Sequence, residues 1–216
     1  MDSSRTAIAL AEKYPFVYAA VGVHPEDCQD WTDGWIDELR GLAAHPKVKA
    51  IGEIGLDYYW KENPPRELQQ QVFRAQMALA EELDLPVIVH DREAHADCMT
   101  VVREFPAVRG VFHCYSGAVE QAKELLDRGW MISFTGSVTY KNARRALEVI
   151  EALPLERIML ETDAPYMTPE PHRGKRNDSS YIPCMAERIA QIKGLTAEDV
   201  LRQTRENGLA FFRIDT

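Results

Sequence analysis

The chain is 216 residues long, with 45% apolar residues, 27% charged residues, 12 Gly and 12 Pro. That composition excludes a disordered, fibrous or membrane-embedded protein and predicts one folded domain over residues 1–216. Its 34 acidic against 25 basic residues leave a formal charge of -9, which argues against wrapping a long phosphate backbone by counterion release but leaves room for a small metal site facing an anionic substrate.

The predicted elements alternate along the chain. A first helix over Arg5 to Tyr14, with Ser3 or Ser4 as N-cap, stops at Pro15. Phe16 to Val23 is a continuous apolar run of strand length that ends in His24-Pro25-Glu26-Asp27. The same grammar recurs in Val48 to Ile54 before Gly55-Leu56-Asp57, in Pro86 to Val89 before His90-Asp91-Arg92, and in Gly110 to Phe112 before His113-Cys114. It recurs again in Trp130 to Phe134 before Thr135-Gly136-Ser137 and in Arg157 to Leu160 before Glu161-Thr162-Asp163. Helical stretches lie between and after them: Trp35 to Ala44, Arg66 to Leu83, Ala94 to Phe105, Ala118 to Arg128, Asn142 to Leu153, Tyr181 to Lys193, and Ala197 to Phe212 with Thr196 as N-cap and Asp199 in a capping-box variant. Strands apolar on both faces and separated by helices predict an α/β fold with a parallel sheet, counted as six βα units.

Cys28, Cys98, Cys114 and Cys184 form no C-x-x-C pair, so neither a zinc knuckle nor a redox motif is indicated and a reducing, cytoplasmic setting is expected. No basic-then-apolar leader opens the sequence, and no apolar stretch approaches the roughly 18 residues of a membrane span.

The ionisable residues fall where chemistry is expected. Glu53, His90, His113 and Asp163 sit at or just inside the C-terminal ends of apolar strands, the rim on which parallel α/β folds build their sites. A carboxylate inside a run such as AIGEIG must be paired, protonated or metal-bound. Taken singly, a strand-end histidine is more often a hydrogen-bonded core residue; the joint pattern points to a divalent-metal site, with a bridging carboxylate allowing two ions. His45 and His95 lie alone on helical segments and are assigned exposed or capping roles. Cys114 is expected to point away from His113 and pack. The long segment after Asp163 carries Arg173, Lys175 and Arg176, suited to phosphate oxygens, with Tyr166 and His172 available for stacking. Arg92, Lys141, Arg144 and Arg145 add positive charge at the same strand ends.

Six segments in order, GVHPE (from Gly22), IGEIGLDYY (from Ile51), PVIVHDR (from Pro86), FHCYSG (from Phe112), ETDAPYM (from Glu161) and RGKRN (from Arg173), together resemble the TatD-like metal-dependent hydrolases, cousins of the amidohydrolases. The resemblance implies a (β/α)8 barrel of TIM type, two divalent metal ions (Mg, Mn or Zn), and a deoxyribonuclease activity, often exonucleolytic, on DNA or another phosphodiester. It implies that Glu53 bridges the metals, that His90 and His113 bind one of them, and that Asp163 binds the other and takes the proton from the attacking water. His24, Arg92 and Arg173 are implied as substrate contacts. No membrane and no obligatory protein partner are implied.

The family pattern opens with a strand ending in His-x-His, and no two of the six histidines here are two residues apart. A full barrel takes about 250 residues. The expectation is therefore a barrel truncated at its N-terminus to six of eight units, with the first metal keeping Glu53 and Asp163 but impaired. Two rival readings are an amide or ester hydrolase acting on a small substrate and a non-catalytic remnant.

Overall fold

A computed structural model describes residues 1–215. The chain divides into two compact units, Met1–Val111 and Phe112 to the C-terminus.

The first unit runs α1 (Asp2–Lys13), β1 (Ala19–Val21), α2 (Gly34–Ala43), β2 (Val48–Asp57), α3 (Arg66–Leu83), β3 (Val87–Arg92) and α4 (His95–Glu104), with β4 (Gly110–Phe112) at the boundary. Strands β1, β2 and β3 pair side by side, all parallel. Val21, Ile51, Ile54, Leu56, Val87 and Val89 are fully buried, as expected of strands covered on both faces.

Sequence and structure part at the strand ends. Only Ala19–Val21 of the predicted first strand pairs with β2; the chain before it turns, with the Val17 N–H on the Tyr14 carbonyl, and Phe16 is 79% exposed. β2 and β3 run further than their apolar residues, because the ladder continues through Gly55 with His90, Leu56 with Asp91 and Asp57 with Arg92. Backbone pairing carries the polar residues into the strands. At Gly55 a Cβ would collide with the His90 carbonyl oxygen, and φ is +136°, so glycine alone permits this register.

The α1 prediction shifts as well. The helix begins at Asp2 with Met1 as N-cap and no side-chain cap. Ser4 is instead buried inside the helix, where its Oγ accepts from the Gly22 N–H at 3.3 Å.

Helix α3 secures the strand ends with two buried glutamines. Gln76 accepts the Val23 N–H at 2.7 Å and donates to the Val23 carbonyl at 3.0 Å. Gln69 accepts the Asp57 N–H at 2.9 Å and donates to the carbonyls of Asp57 and Pro64. Each amide supplies both bonds that a neighbouring strand would have supplied, one at Val23, which adjoins His24, and the other at Asp57 itself.

The second unit runs α5 (Val119–Asp127), β5 (Met131–Phe134), α6 (Arg144–Ala152), β6 (Ile158–Leu160), α7 (Ile182–Lys193) and α8 (Ala197–Phe211). β5 and β6 pair in parallel from Ile132 with Ile158 to Phe134 with Leu160. Trp130, Phe112 and Phe134 lead its core. Here too amides secure the backbone. Asn207 donates to the carbonyls of Leu155 and Ile158, and Asn177 donates to those of Thr162 and Tyr166, holding the loop that carries Asp163. The Thr196 cap is present, accepting from the Asp199 N–H at 3.1 Å; Asp199 answers the Thr196 hydroxyl rather than its backbone N–H. Among the described residues, no helix is long and apolar enough to cross a membrane.

Candidate metal centre

In the first unit β1, β2 and β3 bring four of the strand-end residues together. Glu53 lies within β2 and His90 within β3, and His24 caps a 3-10 turn, Pro25–Asp27, just after β1. Asp57, at the end of β2, is fully buried. His90 is held at both ring nitrogens: Nε2 meets Asp57 Oδ2 at 3.0 Å and Nδ1 meets Glu53 Oε1 at 2.8 Å. His24 Nε2 lies 3.5 Å from the same Glu53 oxygen, and the two imidazoles cross edge to face with centroids 4.5 Å apart.

Two carboxylates around one imidazole call for positive charge between them. Burial raises the Asp57 pKa, but hydrogen bonds from His90 and from the Tyr59 backbone N–H outweigh it and hold the carboxyl below its ordinary value. Asp57 is then a pure acceptor and takes the Nε2 proton of His90. With Nε2 so engaged, Nδ1 faces a second carboxylate oxygen 2.8 Å away, a contact that needs either a proton on Nδ1, which makes the ring an imidazolium, or a metal ion. A metal-ligating histidine donating its other N–H to a carboxylate is the usual supporting arrangement.

One ligand atom from each of His24, Glu53 and His90 lies within 4.8 Å of the others, so one ion is within reach of all three. His24 differs from His90 in its other bond. Its Nδ1 accepts the Glu26 N–H at 3.3 Å, which leaves the proton of the neutral ring on Nε2, toward Glu53. A cleft of ≈ 340 Å³ opens at His24 and Glu53, walled by Ser4 and Ala7 of α1 and by Trp35.

In the second unit His113 follows β4 directly, and its Nδ1 lies 3.3 Å from Glu161 Oε1. The same oxygen accepts the Cys114 N–H at 2.5 Å. The strand does not continue through Cys114 as the alternation argument expected: its φ is +45°. Its Sγ lies 3.4 Å from Thr135 Oγ1, and burial raises its thiol pKa. Asp163 follows β6 with φ +55°, and Met167 has φ +56°. Left-handed backbone at such residues costs of order 1–3 kcal/mol each and persists where the surroundings impose it, often at functional sites.

The remaining predicted residues are also placed. Arg92 ends β3 with its guanidinium 4.0 Å from the Tyr59 ring centroid, and Arg173 lies 4.2 Å from that of Tyr140. His172 stacks on Tyr181 at 4.4 Å. His45 pairs with Glu12 and accepts the Lys47 N–H just beyond α2, a capping role. His95 is not a simple surface residue: its Nδ1 lies 2.6 Å from Asp91 Oδ2.

Sequence reasoning missed Asp57 and Glu161, the carboxylates that orient His90 and His113. Both stand in segments that drew attention for another acidic residue, GEIGLD and ETDAP. A doubled carboxylate within four residues of a strand end was the available signal.

The model of the family described as TatD related DNase matches residues 1–213. The chain belongs to that family. It is 44% identical over 211 residues to YabD of Bacillus subtilis (strain 168), an uncharacterized metal-dependent hydrolase, covering 97% of this chain and 82% of that protein. It is 36% identical over 224 residues to TatD of Salmonella typhimurium (strain LT2), a 3'-5' ssDNA/RNA exonuclease, covering 99% of this chain and 85% of that one. The crystal structure of YjjV, a TatD homologue from Escherichia coli K12, superposes with a TM-score of 0.92 at 30% identity, covering 99% of this chain and 83% of that structure. The α/β architecture is thus the TIM-barrel-like one of TatD proteins, with six strands among the described residues.

Proposed function

We propose that the chain is a divalent-metal-dependent phosphodiesterase acting on nucleic acid, a deoxyribonuclease of exonucleolytic type. The observation that carries the reading is His90, fixed by buried Asp57 so that its second nitrogen faces Glu53. Membership of the TatD-related DNase family and the exonuclease relative support nucleic acid as the substrate class.

In this reading Glu53 and His90 hold metal, and His113 and Asp163 are further ligands, for two ions of the Mg, Mn or Zn class. A bound divalent ion supplies a water of lowered pKa and neutralises charge on the phosphoryl oxygens. Asp57 fixes the tautomer of His90, and Glu161 orients His113. Asp163 accepts the proton of the attacking water. His24 Nε2 and the guanidinium groups of Arg92 and Arg173 donate to phosphate oxygens, with Arg suited to that planar recognition. The four cysteines are free of disulfides, which accords with a reducing, cytoplasmic setting.

The test is hydrolysis of bis(p-nitrophenyl) phosphate and of an end-labelled single-stranded oligodeoxynucleotide, with Mn2+ and with excess EDTA, beside p-nitrophenyl acetate. Metal-dependent cleavage of the two phosphodiesters is expected. Activity confined to the acyl ester would replace the phosphodiesterase reading with an ester hydrolase, and no metal-dependent cleavage of any of the three would favour a remnant.

A further inference from the structure

In a chain with nine more acidic than basic residues, Arg92 is unusual in what it touches. Its guanidinium lies over two rings, 4.0 Å from the centroid of Tyr59 and 5.3 Å from that of Trp60. The guanidinium makes no hydrogen bond or ion pair with any described residue. The two rings stand edge to face with centroids 4.7 Å apart, and both are about half exposed, Tyr59 at 50% and Trp60 at 45%. The cation–π contact adds little stability at so exposed a site, and it leaves large aromatic faces in water beside a cation that no carboxylate among the described residues neutralises, a surface free to receive a ligand.

The patch is also fixed to the metal-ligand cluster. Asp57 accepts the Tyr59 N–H on Oδ1 at 2.9 Å while its Oδ2 meets His90 Nε2 at 3.0 Å. The Tyr58 N–H donates to the Arg92 carbonyl at 2.9 Å. Asp57 and Arg92 are register partners across β2 and β3, and Arg92 stands one pleat repeat, about 6.7 Å, beyond His90 on the same strand. One buried carboxylate therefore positions both the imidazole and the aromatic segment.

We propose that Tyr59, Trp60 and Arg92 form a nucleotide clamp for single-stranded nucleic acid: an unpaired base stacks on the exposed rings, and Arg92 holds the adjoining phosphate. Rings accept any unpaired base by stacking, whereas the bases of a duplex already stack on one another. The clamp accordingly selects strand state rather than sequence. This rests on the phosphodiesterase reading, and the experiment separates the two.

The full chain is titrated with (dT)10 in EDTA while tryptophan fluorescence is followed, and kcat and KM are measured with Mn2+ on a labelled single strand. Quenching is expected in the wild type and is lost in Trp60→Ala and in Trp60→Phe. The double variant Tyr59→Ala/Trp60→Ala raises KM about 5- to 150-fold with kcat changed far less, matching the stacking of one base. Tyr59→Phe/Trp60→Phe keeps the ring faces and restores KM. Arg92→Ala weakens binding and lowers the salt slope by about one. Phe16→Ala, an exposed aromatic outside the patch, leaves all of these values unchanged.

If the wild type cleaves phosphodiesters but the double alanine variant keeps its KM, the clamp is overturned and the phosphodiesterase reading stands. A phenylalanine pair as defective as the alanine pair also overturns it, because the loss then reflects packing. If the wild type cleaves no phosphodiester yet shows quenching that Trp60→Ala removes, the clamp stands and the phosphodiesterase reading falls. Neither cleavage nor quenching overturns both.

Discussion

The two units solve one problem in different ways. Each presents an imidazole beside a carboxylate just past or within an apolar strand: His90 with Asp57 and Glu53 in the first, His113 with Glu161 in the second. In the first unit the donors ride on the parallel strands β2 and β3, whose register shifts between Ile51 and Ile54 around Glu53 and where the Gly52–Glu53 peptide is cis, and Glu53, His90 and His24 converge there. In the second the equivalent residues sit on turns, with Cys114 and Asp163 in left-handed conformation and the loop held by Asn177. Both units anchor their site segments with side-chain amides, Gln69 and Gln76 in the first and Asn177 in the second, and the second adds left-handed backbone at Cys114 and Asp163.

Predictions that break this comparison rank by size. Glu53→Ala removes the carboxylate that faces both His24 and His90, and metal-dependent hydrolysis of bis(p-nitrophenyl) phosphate is expected to vanish. Asp163→Asn keeps the shape of the turn but removes the proton acceptor, so kcat should fall about 10²–10⁴-fold. Asp57→Asn leaves Glu53 and His90 in place and loosens the tautomer, so Mn2+ affinity should fall about 10- to 100-fold; an unchanged affinity would deny Asp57 its orienting role. Gln76→Leu strands the Val23 N–H and carbonyl, and chemical denaturation should show a loss of about 1–3 kcal/mol for each buried group left unpaired. Thr196→Ala removes a helix cap in the second unit, costing about 1 kcal/mol in the same assay with kcat unaltered.

Much of the fold was legible because the strands are short apolar runs that stop on polar residues, and six such runs are present. Glu53, His90, His113 and Asp163 could be singled out by position alone, as polar groups where an apolar run ends. Asp57 could not, because the apolar run breaks at Gly55 and the residue reads as turn; only pairing with β3 extends the strand to it. Gln69 and Gln76 read as the polar face of an amphipathic helix. Their burial depends on strand ends 12 and 53 residues away, a long-range fact with no local signature. The Tyr59–Trp60–Arg92 stack was hidden for the same reason, since it joins the segment after β2 to the end of β3.

The central claim is that Glu53 and His90 form a metal site fixed by Asp57. Calorimetric titration of chelator-stripped protein with Mn2+ tests it most directly, run in parallel on wild type, Glu53→Gln and His90→Ala. Saturable binding by the wild type, with affinity falling sharply in both variants, is the predicted result. Equal Mn2+ affinity in all three proteins would contradict it.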